Sequence, residues 1–173
     1  MIENQPNLDS QSTPVDPALL RAAMRQWVTG VTIVSSCWRA EQHGMTVSSF
    51  TSISLDPPLV CISLAGETRT YRLLEASGIF GVTILNENQQ EISDRFAGRV
   101  ADTQDRFAGL DTFTLNTGAP FLAGGLVWFD CEVLDKLKAG NNTVIIGKVI
   151  AVKQGSNGQP LLYYDRDYHN ICD

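Results

Sequence analysis

The feature that most narrows the fold is a cadence of short β-branched and apolar runs, each cut off by glycine, proline or asparagine. Such runs occupy Val31 to Cys37, Leu59 to Ala65, Ile79 to Leu85, Leu110 to Leu115, Gly125 to Leu134, Thr143 to Val152 and Leu161 to Tyr164. Runs of this kind bounded by turn residues read as strands. Helical signals are confined to three places. Asp16 caps a helix with Pro17 at its first position, and Leu19, Leu20, Ala23, Trp27 and Val28 recur at helical spacing until Gly30, so this helix should bury one stripe. A short helix begins near Thr68, carries Tyr71, Leu73 and Leu74, and meets Gly78 at its C-terminal cap. Asn86 can cap a third through Ile92 and Phe96. Strands and helices do not alternate, which disfavours a doubly wound parallel sheet and favours a mainly β barrel with two or three peripheral helices.

With 173 residues the chain can bury an ordinary core as one domain. Met1 to Val15 is polar, with Pro6 and Pro14, and reads as a flexible arm; residues 16–173 form the expected domain. Ala97 to Leu110 is polar and charged and reads as a surface loop or a lid. A net charge of -6 argues against nucleic acid and against an anionic membrane surface. No basic segment precedes an apolar one, and no apolar run is long enough to span a bilayer, so the expectation is a soluble cytoplasmic protein. Cys37, Cys61, Cys131 and Cys172 form no C-x-x-C pair and read as structural thiols.

The stretch from Gly44 to Val60 is dense in hydroxyls and closes on Pro57 and Pro58. If it is one strand, Thr46, Ser48, Ser52 and Ser54 share one face and Met45, Val47, Ile53 and Leu55 the other. Met45 to Leu55, eleven residues, is long for a strand, and Phe50 falls in the hydroxyl phase, so a bulge or bend is expected near Ser49 and Phe50. Four hydroxyls on one wall, with backbone amides beside them, suit an anionic or polar ligand such as a phosphate. A half-buried strand with a wet Ser/Thr face explains the same pattern.

Most signatures of chemistry are missing. There is no G-x-G-x-x-G turn, no P-loop, no G-x-S-x-G elbow and no cluster of metal ligands, and His43 and His169 precede no obvious nucleophile. Few acids or bases and one hydroxyl-rich wall fit chemistry carried by a bound organic cofactor.

Several segments resemble, in order, the flavin reductase-like proteins with an FMN-binding split barrel. Trp27 to Val34 resembles the opening motif of that family and Gly44 to Val60 its flavin-binding segment. Asp105-Arg106-Phe107 with Gly109, then Ala119-Pro120, Gly147-Lys148-Val149 and Leu161 to Tyr164 follow its later landmarks. The likeness covers about residues 18–168. It implies a homodimer of Greek-key split barrels holding FMN or FAD near the subunit interface, with NADH or NADPH as hydride donor and a separate oxygenase component as a partner for reduced flavin. Carried over by position, Thr46, Val47, Ser48 and Ser49 contact the isoalloxazine ring, Gly30 and Val31 line its other side, and Ser52 and Ser54 lie towards the ribityl phosphate. Arg69 and Thr70, at the start of the short helix, match a position that meets the phosphate, as a helix N-terminus also favours.

One departure concerns the donor. Members that use NADH often carry Gly-Asp-His where this chain has Gly140-Asn141-Asn142. Asn142 can hydrogen-bond a carboxamide but cannot become cationic. The run Tyr164 to Tyr168 also lacks a glycine that many members have. Besides the reductase, the residues admit an FMN-binding electron carrier that does not oxidise NAD(P)H, and a barrel that binds no flavin and acts as an interaction module.

Overall fold

In the computed structural model, residues 14–99, 105–155 and 158–171 are described. The elements run α1 (Pro17–Met24), β1 (Thr29–Gly30), β2 (Thr32–Trp38), β3 (Glu41–Val47), β4 (Thr51–Leu55), β5 (Pro58–Ala65), α2 (Arg69–Ser77), β6 (Ile79–Ile84) and α3 (Gln90–Phe96). They continue with β7 (Thr112–Thr114), β8 (Pro120–Leu122), β9 (Val127–Ala139), β10 (Asn142–Gln154), β11 (Leu162–Tyr164) and β12 (Asp167–His169).

Seven strands form one antiparallel sheet in the order β3-β2-β6-β9-β10-β5-β4. Its interior is filled by Val34, Val60, Ile62, Phe80 and Ile145, side chains from four strands that meet in one cluster. A sheet most of whose strands aim at one apolar centre is curled, and β3 comes back against β5. The lips of the resulting seam, β3 and β4, are consecutive in the chain and joined by Ser48 to Phe50. Across this link Ser49 donates its hydroxyl to the Ser63 carbonyl (3.0 Å) and accepts from the Ser63 amide (2.9 Å). The mainly β barrel with three peripheral helices is therefore present, and no parallel pairing occurs among the described strands.

A second apolar cluster lies outside the barrel, where Val31, Leu85, Phe96, Phe107 and Leu161 pack together. It seats α3 and the small sheet β1-β11-β12 against the barrel wall. Gly147 shows how tightly the barrel is filled: a Cβ there would lie 2.3 Å from the Phe80 ring.

Two local expectations change, one for the first helix and one for Asn86. The first helix stops at Met24, and bonds from Gln26 to the Ala23 carbonyl and from Trp27 to the Met24 carbonyl unwind it. Thr29 and Gly30 instead pair with Tyr163 and Leu162, so strand pairing overrides the helical spacing there. This helix buries none of its residues, and Leu19, Leu20, Met24, Trp27 and Val28 are all exposed. Asn86 is not a helix cap: its side chain accepts from the Asn88 amide (2.8 Å), a local turn, and the helix begins at Gln90. Glu41 to His43 belong to β3, and the chain reverses at Arg39 and Ala40. By contrast α2 has the expected ends, with Thr68 accepting from the Tyr71 amide and Gly78 at φ 71°. Residues 1–13 of the expected arm and residues 100–104 of the expected loop or lid lie outside the described residues.

Candidate functional site

Strand β3 is an edge of the sheet, and α2 and α3 both pack against it. Three clefts follow it end to end. The middle one, about 560 Å³, is floored by His43 and Thr46 and walled by Arg69 and Thr70 from the start of α2, by Phe96 from the end of α3, and by Arg106. Beyond the end of β3, a cleft of about 350 Å³ is formed by Trp27, Gly30, Ser48, Ser49, Phe50 and Thr51. At the other end, beside the β2–β3 turn, a cleft of about 440 Å³ is lined by Cys37, Arg39, Glu41, Arg69, Asp105 and Gly118. These volumes fall within the roughly 300–1,000 Å³ of small-molecule sites.

The hydroxyls do not form one wall. The strand ends at Val47, bends through Ser48 to Phe50 as expected, and resumes at Thr51 on the opposite lip, where a further irregularity falls between Ser52 and Ser54. Thr46 faces α3 and donates to the Ser93 carbonyl (2.6 Å). Ser48 is exposed in the Gly30 cleft. Both sides of the Ser49 hydroxyl are taken by Ser63. Ser52 is exposed and Ser54 half-buried on β4, and neither lines the three clefts.

Val31 and Val47 point into the two cores. The Val31 amide donates to Leu161 and its carbonyl accepts from Leu85, so both of its backbone groups are engaged. Gly30 faces open space: a Cβ on it would meet no atom within 4 Å. Asn142 lies elsewhere, at the first position of β10 opposite Ala65. Its neighbour Asn141 accepts from the Gly66 amide (3.3 Å) and helps to line a fourth cleft of about 500 Å³ with Lys138, Glu67 and Tyr71.

Two residues that sequence reasoning did not assign to the site are built into it. Arg106 spans the middle cleft by donating from Nη1 to the Gly44 carbonyl (3.1 Å) and the Phe96 carbonyl (2.7 Å), tying β3 to α3. An arginine directly before a core phenylalanine, Phe107, was the available signal, because a half-buried guanidinium must find acceptors. His43 meets Thr70 Oγ1 through Nδ1 at 2.8 Å, linking β3 to α2.

Outside the clefts, Tyr168 Oη bonds Ser93 Oγ (2.8 Å) and Asp94 Oδ1 (2.9 Å). Arg99 pairs with Asp94 (2.9 Å), donates to Tyr163 Oη (2.9 Å) and lies near the faces of both tyrosines. Burial pushes the Tyr168 hydroxyl above its ordinary pKa. Burial likewise raises the thiols of Cys37, Cys61 and Cys131, which stay protonated and are poor nucleophiles at neutral pH. The arrangement offers cations, hydroxyls and open backbone, suited to holding a polar, anionic ligand with a flat portion.

Comparison with known proteins places this geometry in context. The model of the flavin reductase like domain matches residues 24–172. The chain is 39% identical over 158 residues to the NADH-dependent flavin reductase StyB of Pseudomonas fluorescens, covering 90% of each. It is also 39% identical over 145 residues to a probable flavin reductase of Rhizobium meliloti, covering 83% of this chain and spanning 46% of that protein's length. Among solved structures, the styrene monooxygenase flavin reductase SMOB of Pseudomonas putida S12 superposes with a TM-score of 0.78 at 38% identity, over 88% of this chain and 97% of that one. With a family model matched over most of its length and relatives of this identity over nearly all of it, the chain belongs to the flavin reductase-like domain family.

Proposed function

We propose that this chain is an NAD(P)H:flavin oxidoreductase that moves a hydride from NADH or NADPH to FMN or FAD and delivers reduced flavin to a separate oxygenase. The observation that carries the reading is the run of clefts along β3 in a member of this family. The names of its relatives, an NADH-dependent flavin reductase and the reductase of a styrene monooxygenase, favour it over the electron-carrier and interaction-module readings.

The residues present fit a flavin. Gly30 offers uncovered backbone on which a planar ring can lie, and Ser48 stands exposed beside it. Arg69, Thr70 and Arg106 bring two cations and the N-terminus of a nine-residue helix to one cleft of a chain whose net charge is -6, a local reversal suited to phosphate. The bound flavin supplies the hydride acceptor, so the protein needs no nucleophile of its own. The chain's contribution is placement, which converts an encounter of two ring systems into an oriented one. Because its proton is spent on Ser93, Thr46 meets the ring as an acceptor. Ser49, its hydroxyl proton spent on the Ser63 carbonyl and its oxygen already accepting from the Ser63 amide, contributes main chain. Val31 and Val47 act from behind by fixing the backbone on either side, and Ser52 and Ser54, outside the three clefts, would reach a flavin only from the opposite lip across the seam. Asn142, at the start of β10 and outside these clefts, could offer a nicotinamide only an uncharged hydrogen-bonding group.

The functional unit is a homodimer of the domain spanning residues 16–173. Its support is α1, which buries nothing and exposes Leu19, Leu20 and Met24 next to Trp27 at the mouth of the Gly30 cleft. An apolar face beside a site calls for a cover, and a second copy supplies it symmetrically. Three free thiols among the described residues suit a reducing compartment, and the working location is the cytoplasm. No helix among the described residues is long and apolar enough to cross a membrane.

The test is an anaerobic absorption spectrum of the protein with stoichiometric FMN, taken before and after NADH and then NADPH. Bleaching of the flavin band is the expected result and names the donor; a band that persists with both overturns the reductase reading.

A further inference from the structure

We propose that the cleft beside the β2–β3 turn binds the adenosine phosphate half of a dinucleotide, as an extension of the flavin trough; the proposal rests on the reductase reading above. Three observations make this cleft continuous with the middle one. Arg69 lines both. Strand β3 floors both, with Glu41 and Gln42 in one and His43, Met45 and Thr46 in the other. The facing wall is shared by consecutive residues, Asp105 in one and Arg106 in the other. One trough therefore passes under a guanidinium, and a phosphate held by Arg69 has open volume on both sides. A mononucleotide ends at that point, whereas a dinucleotide continues past it.

The far side carries the groups that an adenosine needs. Arg39 occupies the tight turn with φ 56°, a left-handed conformation that glycine or asparagine adopts more easily. A bulky side chain kept there at steric cost is an outlier that points to use. Its guanidinium lies over the Trp38 ring, 5.8 Å from the centroid, which backs one face and leaves a plane of the kind that stacks on nucleobases. Glu41 and Asp105 line the same cleft and carry only acceptors when ionised, matching the donor hydroxyls of a ribose. Glu41 also meets Arg69 at 3.6 Å, so the sugar-side and phosphate-side groups are adjacent.

Adenosine phosphate occurs in FAD and in NAD(P)H, and the experiment separates them. Arg39→Gly is the informative variant, because glycine relieves the positive φ while removing the side chain. The dissociation constants of FMN and FAD are measured by flavin fluorescence, the KM for NADH is measured with saturating FMN, and AMP binding is followed by calorimetry, in the unsubstituted and Arg39→Gly proteins. The expected result is an AMP signal that Arg39→Gly abolishes, together with a loss of about tenfold in one dinucleotide relative to FMN. Weakened FAD with an unchanged KM for NADH assigns the cleft to the flavin's adenosine, and the converse assigns it to the nicotinamide nucleotide. Equal changes for FMN and FAD, or no change in either dinucleotide, overturn the proposal. Failure of FMN reduction in the unsubstituted protein would instead defeat the reductase reading, while the AMP arm still reports on the cleft.

Discussion

Thr46 Oγ1 donates to the backbone carbonyl of Ser93 at 2.6 Å, so the floor of the middle cleft is pinned to α3 by a side chain that faces the ligand space. Ser93 is held in turn from its other side, where its hydroxyl meets Tyr168 Oη. The position of Thr46 is thus set from the C-terminal hairpin through α3.

Tyr168→Phe should leave the fold intact and cost about 1 kcal/mol, the net worth of an ordinary hydrogen bond. The pH dependence carries the sharper signature. Burial raises the Tyr168 pKa above its ordinary value, so its contribution is complete below the unfolded-state pKa, about 10, and is lost as pH rises through the folded-state value. Urea titrations should show that Tyr168→Phe flattens this alkaline decline; an unchanged slope would assign the decline to other groups.

Arg69→Ala should weaken FMN about tenfold while leaving riboflavin, which lacks the phosphate, nearly unchanged. Equal losses for both flavins would place Arg69 away from the phosphate.

The opposite lip is tested by Ser52→Ala with Ser54→Ala. Loss of one hydrogen bond each, about 1 kcal/mol apiece, predicts distinctly weaker FMN binding. If affinity is the same in the double variant, β4 takes no part in holding flavin.

For α1, replacing Leu20 and Met24 by glutamate should shift the protein from dimer to monomer in sedimentation velocity without altering its circular dichroism, since neither side chain is buried within its own chain. A parent protein that sediments as a monomer at tens of micromolar would remove the dimer from the proposal.

Gly147→Ala should destabilise by about 1–3 kcal/mol through overpacking, because the new methyl would meet the Phe80 ring at 2.3 Å and Cys131 Cβ at 3.3 Å. Chemical denaturation measures this directly. The same contact explains physically why a glycine falls in the Gly147-Lys148-Val149 landmark.

How far the chain could be read in advance depended on whether a signal was local. Both ends of α2 are written in adjacent residues, Thr68 and Gly78, and they were legible. The core strands were too, because their burial follows from β-branched runs such as Val31 to Ser36, all buried. For α1 the apolar spacing was visible, but a stripe does not say which molecule covers it, and here its own domain does not. The hydroxyl wall failed for a different reason. Alternation assumes one straight strand, and the bend from Ser48 to Phe50 sends the second half to the other lip. What hydroxyls do is equally non-local: Thr46 and Ser49 are committed to Ser93 and Ser63, partners 47 and 14 residues away. Arg106 escaped because its acceptors, on Gly44 and Phe96, belong to two other elements.

The seam between β3 and β4 has a consequence for the life of the protein. Its lips share no ladder, and Ser49 with Ser63 bridges the strand link beside it. A flavin held from both lips would bind the closed barrel and not the opened chain, so occupancy adds to folding stability, about 2.7 kcal/mol when ligand stands at 100 times its Kd. Without cofactor that added stability is lost, and the opened chain is more available to proteases. The steady-state amount of reductase would then rise with the supply of flavin through slower turnover.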